Sequence, residues 1–180
     1  MSAVARQPEF GVSEVELVSM KRRHLRQVLR IEGQVYPRPW SSALFLQEIA
    51  HRNDRVYFVA RLQGQVVGYG GLMTSGLEGH ITNIAVDPVH QGRHIGLKIM
   101  LGLMEAAVER GGKTVSLEVR KSNDVAQRLY EKFGFQPVGV RRGYYVETGE
   151  DAIVMWVDAV DTDEYEAKMD LIREEVLSDG

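Results

Sequence analysis

Three places in this 180-residue chain bring together side chains whose type and spacing suit chemistry. The first is Glu118 in "TVSLEVR". Strand alternation puts Val115, Leu117 and Val119 on one face and Ser116, Glu118 and Arg120 on the other. A strand between two helices of a doubly covered sheet is normally apolar on both faces, so a carboxylate there is paired or functional. Burial is expected to push its pKa up, toward what a general base needs. An ion pair with Arg120 or a solvated edge position would explain it equally. The second place is Tyr130 in "AQRLYEKFGF", on a stripe with Ala126, Leu129 and Phe133. Its phenol is either a satisfied core hydroxyl or a proton donor. The third is "ITNIAVDPVHQGRHIGLKIM", which reads as strand, short loop and long helix. The start of a helix exposes unpaired N–H groups and positive dipole charge, which can hold a diphosphate. Gly92 lets the backbone approach closely, and Arg93 and His94 add donors. The loop is neither GxxxxGK[ST] nor GxGxxG, and an ordinary strand-to-helix turn remains the alternative.

These groups need elements to hold them. "VELVSM" reads as a short strand, and "KRRHLRQVLRIEGQVY" as a basic helix with Leu25, Val28, Leu29 and Glu32 at helical spacing. "YPRPW" stops it at Pro37 and Pro39. Ser41 or Ser42 caps a second helix through Ile49. "RVYFVARL", a turn at Gln63–Gly64 and "QVVGYGGLM" make a strand–turn–strand pattern, and "GHITNIAVDP" is a further strand. The long helix carries Ile95, Ile99, Leu103 and Ala106 on one stripe and closes on Gly111–Gly112. "KTVSLEVR" is a strand, "SNDVAQRLYEKFGF" a capped helix, and "QPVGVRRGYYV" and "EDAIVMWV" the last strands. The order β-α-α-β-β-β-α-β-α-β-β predicts an α/β fold, a mixed central sheet with helices on both faces. Residues 1–13 read as a flexible leader, 14–158 as the domain and 159–180 as an acidic tail. In that tail Tyr165, Met169, Ile172 and Val176 share a stripe, so an added amphipathic helix is expected there, packing on the body or on another chain.

Composition narrows the function classes. There is no cysteine, which excludes disulfides, thiolate metal sites and a cysteine nucleophile. Five histidines lack metal-ligand spacing, so no metal is expected. No apolar run approaches the ~20 residues that span a bilayer. The first residues lack a signal peptide's apolar stretch, and the cytoplasm is the expected setting. From Asp158 onward nine acids face only Lys168 and Arg173, while the remainder holds 20 basic residues against 16 acidic ones. A mildly basic body suits an anionic ligand better than direct binding to nucleic acid.

Taken together, "NIAVDPVHQGRHIG", "LEVRKSN", "LYEKFGF", "RRGYYVETGEDAIVM" and "YPRPWS" resemble the GNAT superfamily of acyl-CoA-dependent N-acetyltransferases, within it the RimI group of ribosomal-protein-alanine acetyltransferases. The likeness runs from about Val15 to Asp158. It implies acetyl-CoA as co-substrate. Ile84, Ala85 and Val86 would face the pantetheine and thioester, with the Val86 N–H near the acetyl carbonyl. Gln91, Gly92, Arg93, His94, Ile95, Gly96 and Leu97 would form the diphosphate loop, and Asn123 would contact CoA. Glu118 would be the general base and Tyr130 the general acid. Tyr36, Tyr144 and Tyr145 would line the path of an acceptor peptide, the N-terminus of a ribosomal protein. His94 stands where the family pattern has its first glycine, and the acidic tail lies outside that pattern. Transfer to a small-molecule amine, or a weakly catalytic CoA-binding module, are the competing readings.

Overall fold

A computed structural model describes residues 10–179. The leader expected over residues 1–13 lies outside the described residues up to residue 9. Its last part differs from the expectation: Val12 is buried in the core and starts a 3-10 turn, Val12–Glu14. There the Val12 carbonyl accepts from Lys98 Nζ at 3.1 Å.

In chain order the elements are β1 (Glu16–Ser19), α1 (Leu25–Val35), α2 (Ser42–Ala50), β2 (Arg55–Leu62), β3 (Gln65–Ser75), β4 (Glu78–Val86) and α3 (Ile95–Glu109). They continue with β5 (Thr114–Arg120), α4 (Asp124–Lys132), β6 (Gln136–Tyr145), β7 (Glu150–Val157) and α5 (Asp163–Ser178). The first helix begins later than its basic run suggests, because a 3-10 turn over Arg22–His24 precedes it. The Lys21 N–H donates to His24 Nδ1 at 3.0 Å, which closes that turn. Ser41, rather than Ser42, caps α2 by accepting from the Leu44 N–H at 3.2 Å. At the Gln63–Gly64 turn both residues have positive φ (49° and 81°), the pairing a tight two-residue hairpin needs.

The seven strands form one sheet in the order β1-β2-β3-β4-β5-β7-β6. Every neighbouring pair is antiparallel except β4 and β5, which makes the sheet mixed, as the element order predicts. Helices cover both faces. On one face Val28 and Ile31 of α1 and Phe45 of α2 pack on Val59, Tyr69 and Ala85. On the other, Ile95, Ile99 and Leu103 of α3 join Leu117, Phe133 and Phe135. The tail's stripe, Tyr165, Met169, Ile172 and Val176, is buried in that second cluster, so α5 packs on the body. Thr162 caps α5, Asp163, Glu164 and Glu166 favour its positive end, and the Tyr165 hydroxyl donates to the Phe133 carbonyl at 2.8 Å.

Two features of the sheet create the site. The parallel pairing of β4 with β5 covers only Glu78, Gly79 and His80 against Thr114, Val115 and Ser116. Beyond that point both strands continue without pairing to each other, and a gap opens between them. The second feature is a bulge in β4, where Gly71 pairs with Asn83 but Leu72 pairs with Ile81. Thr82 is the extra residue, and a bulge adds local twist that turns the end of β4 away.

Candidate active site

The gap opens into a cleft of about 1060 Å³. Its walls are β4, β5, the starts of α3 and α4, the loop after α1, and the β6–β7 turn.

One end presents groups of a kind that can hold a phosphate. The first intrahelical bond of α3 runs from the Lys98 N–H to the His94 carbonyl at 3.0 Å, so the N–H groups of Ile95, Gly96 and Leu97 have no partner within the helix. The loop reaches that start through two residues with positive φ, Gly92 at 76° and His94 at 56°. The left-handed conformation at His94 is the physical reason a glycine suits this position. Here a histidine carries that strain, and its Nδ1 contacts the Asp179 carboxylate at 2.6 Å, which ties the end of α5 to the loop. Asp87, 3% exposed, braces the loop from behind by accepting from the Val89 N–H at 3.2 Å and pairing with Arg30 at 3.0 Å. Gln91 donates to the Val86 carbonyl at 3.2 Å. Arg93 lies off the cleft wall, its guanidinium 4.7 Å from the Phe10 ring centre. Arg128 and Lys132 of α4 also line the cleft, with Lys132 paired to Glu175. The strain at His94 gives an expected outcome. His94→Val should be less stable than His94→Gly by about 1–2 kcal/mol in urea unfolding, because a β-branched residue fits left-handed backbone worst.

The middle of the cleft presents backbone. The Asp87 N–H bonds the Val67 carbonyl at 2.8 Å, across to β3. Strand alternation then turns the N–H of Val86 the other way, into the gap. The Ile84 carbonyl also faces the gap, where it accepts the Tyr36 hydroxyl at 2.8 Å. Tyr36 is therefore a strut that fixes the end of β4, and burial raises its phenol far above the ordinary range. Ala85 lines the cleft as well, with its side chain in the α1 and α2 core. Asn123 lines the entrance to α4, where its Oδ1 caps the helix by accepting the Ala126 N–H at 3.1 Å.

Tyr130 and Glu118 face this middle from α4 and β5. Burial raises the Tyr130 phenol well above its usual range, with the Tyr145 hydroxyl adding to the effect. A phenol so placed keeps its proton and so remains able to donate. Glu118 differs from expectation in two ways. It does not pair with Arg120: His80 Nε2 lies 3.0 Å from one carboxylate oxygen and Arg141 Nη2 3.5 Å from the other. Nor does burial win. The hydrogen bond from His80 outweighs desolvation and, with the Arg141 charge, holds the carboxyl below its usual range. The strand has one buried face and one half-buried face turned to the cleft, so Glu118 retains solvation that a doubly covered strand would deny it.

Arg120 sits instead at the tyrosine-lined end of the cleft. It pairs with Glu147 and with Glu150 (3.3 Å), and stacks 3.9 Å from the Tyr145 ring centre. Tyr145 meets Tyr144 edge-on at 5.1 Å, and burial pushes the Tyr145 phenol up to about 12. Opposite them, Glu32 of α1 accepts the Trp40 N–H at 3.0 Å and the Tyr69 hydroxyl, pinning the "YPRPW" loop to the sheet. Burial raises the Glu32 carboxyl.

Of the residues singled out from sequence, all but Arg93 line this one cleft. Sequence reasoning missed His80, Asn83 and Arg141. Asn83 turns a buried Nδ2 without a partner beside the bulge. Alternation on "GHITNIAV" could have put His80 on the face of Glu118, but only the parallel register brings them together.

The Acetyltransferase (GNAT) family profile matches residues 25–135. A Bacillus subtilis (strain 168) protein named putative ribosomal protein bS18-alanine N-acetyltransferase is 37% identical over 139 residues, 77% of this chain and 92% of its own. N-alpha-acetyltransferase RimI of Mycobacterium tuberculosis is 39% identical over 153 residues, 82% of this chain and 94% of its own. The crystal structure of the ribosomal-protein-S18-alanine N-acetyltransferase from Escherichia coli superposes with a TM-score of 0.73 at 31% identity, covering 81% of this chain and 94% of that one. The chain belongs to the GNAT acetyltransferase family, and its activity class is N-acetyl transfer.

Proposed function

We propose that the enzyme moves the acetyl group of acetyl-CoA to the α-amine of a protein N-terminus, an alanine of a ribosomal protein, by direct attack within a ternary complex. The observation that carries this reading is the cleft through the β4–β5 gap, phosphate-ready at one end and lined by tyrosines at the other. A carboxylate and a phenol face its middle. The acceptor identity rests on the relatives, whose names specify ribosomal protein bS18 alanine.

The residues fit the co-substrate. The free N–H groups of Ile95, Gly96 and Leu97 and the turn at Gly92 suit a diphosphate. The Val86 N–H meets the thioester carbonyl and steadies the charge that develops on its oxygen. Glu118 takes a proton from the acceptor ammonium, directly or through one water, because only the neutral amine attacks. Tyr130 donates to the departing sulfur. Tyr36, Tyr144 and Tyr145 shape the acceptor's path, and Arg120 keeps Tyr145 in place. Placing amine and thioester together supplies much of the acceleration. The same reading sets the enzyme in the cytoplasm. No described helix is long and apolar enough to cross a membrane.

The test is mass spectrometry of a library of N-terminal peptides and small amines after incubation with acetyl-CoA. Acetylation confined to α-amines of peptides beginning with alanine is the expected result. Transfer to small amines alone would overturn the acceptor assignment.

A further inference from the structure

The cluster around Glu118 contains more than a base. His80, on the last residue of β4 that pairs with β5, contacts two residues of β5. Its Nε2 lies 3.0 Å from Glu118 Oε2, and its Nδ1 lies 3.0 Å from Ser116 Oγ. The parallel register sets His80 opposite Ser116 at the point where the strands part. An ionised carboxylate can only accept, so the Nε2 facing it must carry a hydrogen. In the neutral ring Nδ1 is then a lone pair, and the Ser116 hydroxyl donates to it. The three residues form one directed chain, Ser116 to His80 to Glu118.

We propose that His80 is the positioning residue of the catalytic base. Through Nε2–H it holds the Glu118 carboxylate toward the cleft, and Ser116 holds the ring. This rests on the reading of Glu118 as the base.

The experiment compares kcat and KM of wild type, His80→Gln and His80→Ala at pH 8 on one acceptor peptide with a free α-amine. Glutamine keeps an N–H for Glu118, and it should retain most of the wild-type kcat. Alanine, which frees the carboxylate to wander, should lose about tenfold in kcat with an unchanged KM for acetyl-CoA. A kcat of His80→Ala equal to that of wild type, or an equal loss in His80→Gln, would overturn the positioning role. A readout that needs no acceptor is the pair of ring nitrogen shifts of His80 in NMR. In the neutral ring they should place the hydrogen on Nε2 and leave Nδ1 without one, and the reverse tautomer would equally overturn the chain. A wild-type enzyme inactive on every peptide, but with that tautomer intact, would count against the acceptor reading and leave the His80–Glu118 contact standing.

Discussion

Glu118→Gln should lower kcat/KM at pH 7 by about 10²–10³ while acetyl-CoA binding, read by calorimetry, stays within twofold. Glutamine has nearly the same shape, and its carbonyl oxygen can still accept from His80 Nε2. What it cannot do is take a proton. The variant must wait for the acceptor to lose its proton to water, and an α-amine has a pKa of about 7.7–8.0. Near a tenth of the amine is neutral at pH 7, so the variant's rate should climb about tenfold up to pH 9 and then level off. The wild type behaves differently because the hydrogen bond from His80 and the charge of Arg141 hold the Glu118 carboxyl below its usual range. A depressed carboxyl is ionised throughout neutral pH, so its capacity to accept is present there and lost only on the acid side. Tyr130→Phe should cost less, about tenfold, since a thiolate near pKa 8.5 is already a fair leaving group. If Glu118→Gln kept the wild-type rate at pH 7, the base would have to be another group.

What could be read from sequence was local. The stripe Ile95, Ile99, Leu103 and Ala106, and the tail stripe Tyr165, Met169, Ile172 and Val176, repeat within one helix each, and both are buried as that repeat requires. The two-sided character of β5 follows from alternation over seven residues. The surroundings of Glu118 were not legible, because they come from strands far apart in the chain. His80 is 38 residues upstream of Glu118 and reaches it only through the β4–β5 register. Arg141 arrives from the edge strand beyond β7. Without these two donors in view, burial alone predicts a raised carboxyl; with them the carboxyl is held below its usual range. The bulge at Thr82 was hidden for the same reason: it is a mismatch between two strands, visible only once both are paired. The contact between His94 and Asp179 joins the loop to a helix 85 positions away.

Gly71→Val should be the most destabilising single substitution near the site. Gly71 pairs with Asn83 at the bulge, and a Cβ there would lie 2.3 Å from Tyr57 Cε1 and 2.5 Å from Thr82 Oγ1. Neither neighbour can step aside freely. The Tyr57 ring is 5% exposed, and its hydroxyl donates to Glu48 at 2.9 Å and meets Thr82 Oγ1 at 3.0 Å. Moving the ring strands those partners, which adds the cost of buried unpaired polar groups to that of overpacking. Together these come to about 3–5 kcal/mol, a large part of the 5–15 kcal/mol typical of a domain. At about 2–4 °C per kcal/mol for a chain of this size, the melting temperature should drop by about 6–20 °C. Gly33→Ala is the control: Gly33 sits inside α1 with nothing within 4 Å of its added Cβ, and the change should stabilise by about 0.5–1 kcal/mol. A Gly71→Val midpoint within 1 °C of wild type would mean that Tyr57 does not clamp the bulge. The loss should also exceed what unfolding explains at low temperature. In molecules that remain folded, the displaced ring pulls on Thr82, and Asn83, Ile84 and Val86 follow on the same strand. The Val86 amide, which we propose meets the thioester carbonyl, then shifts, and a displacement near 1 Å is enough to cost about a hundredfold in rate.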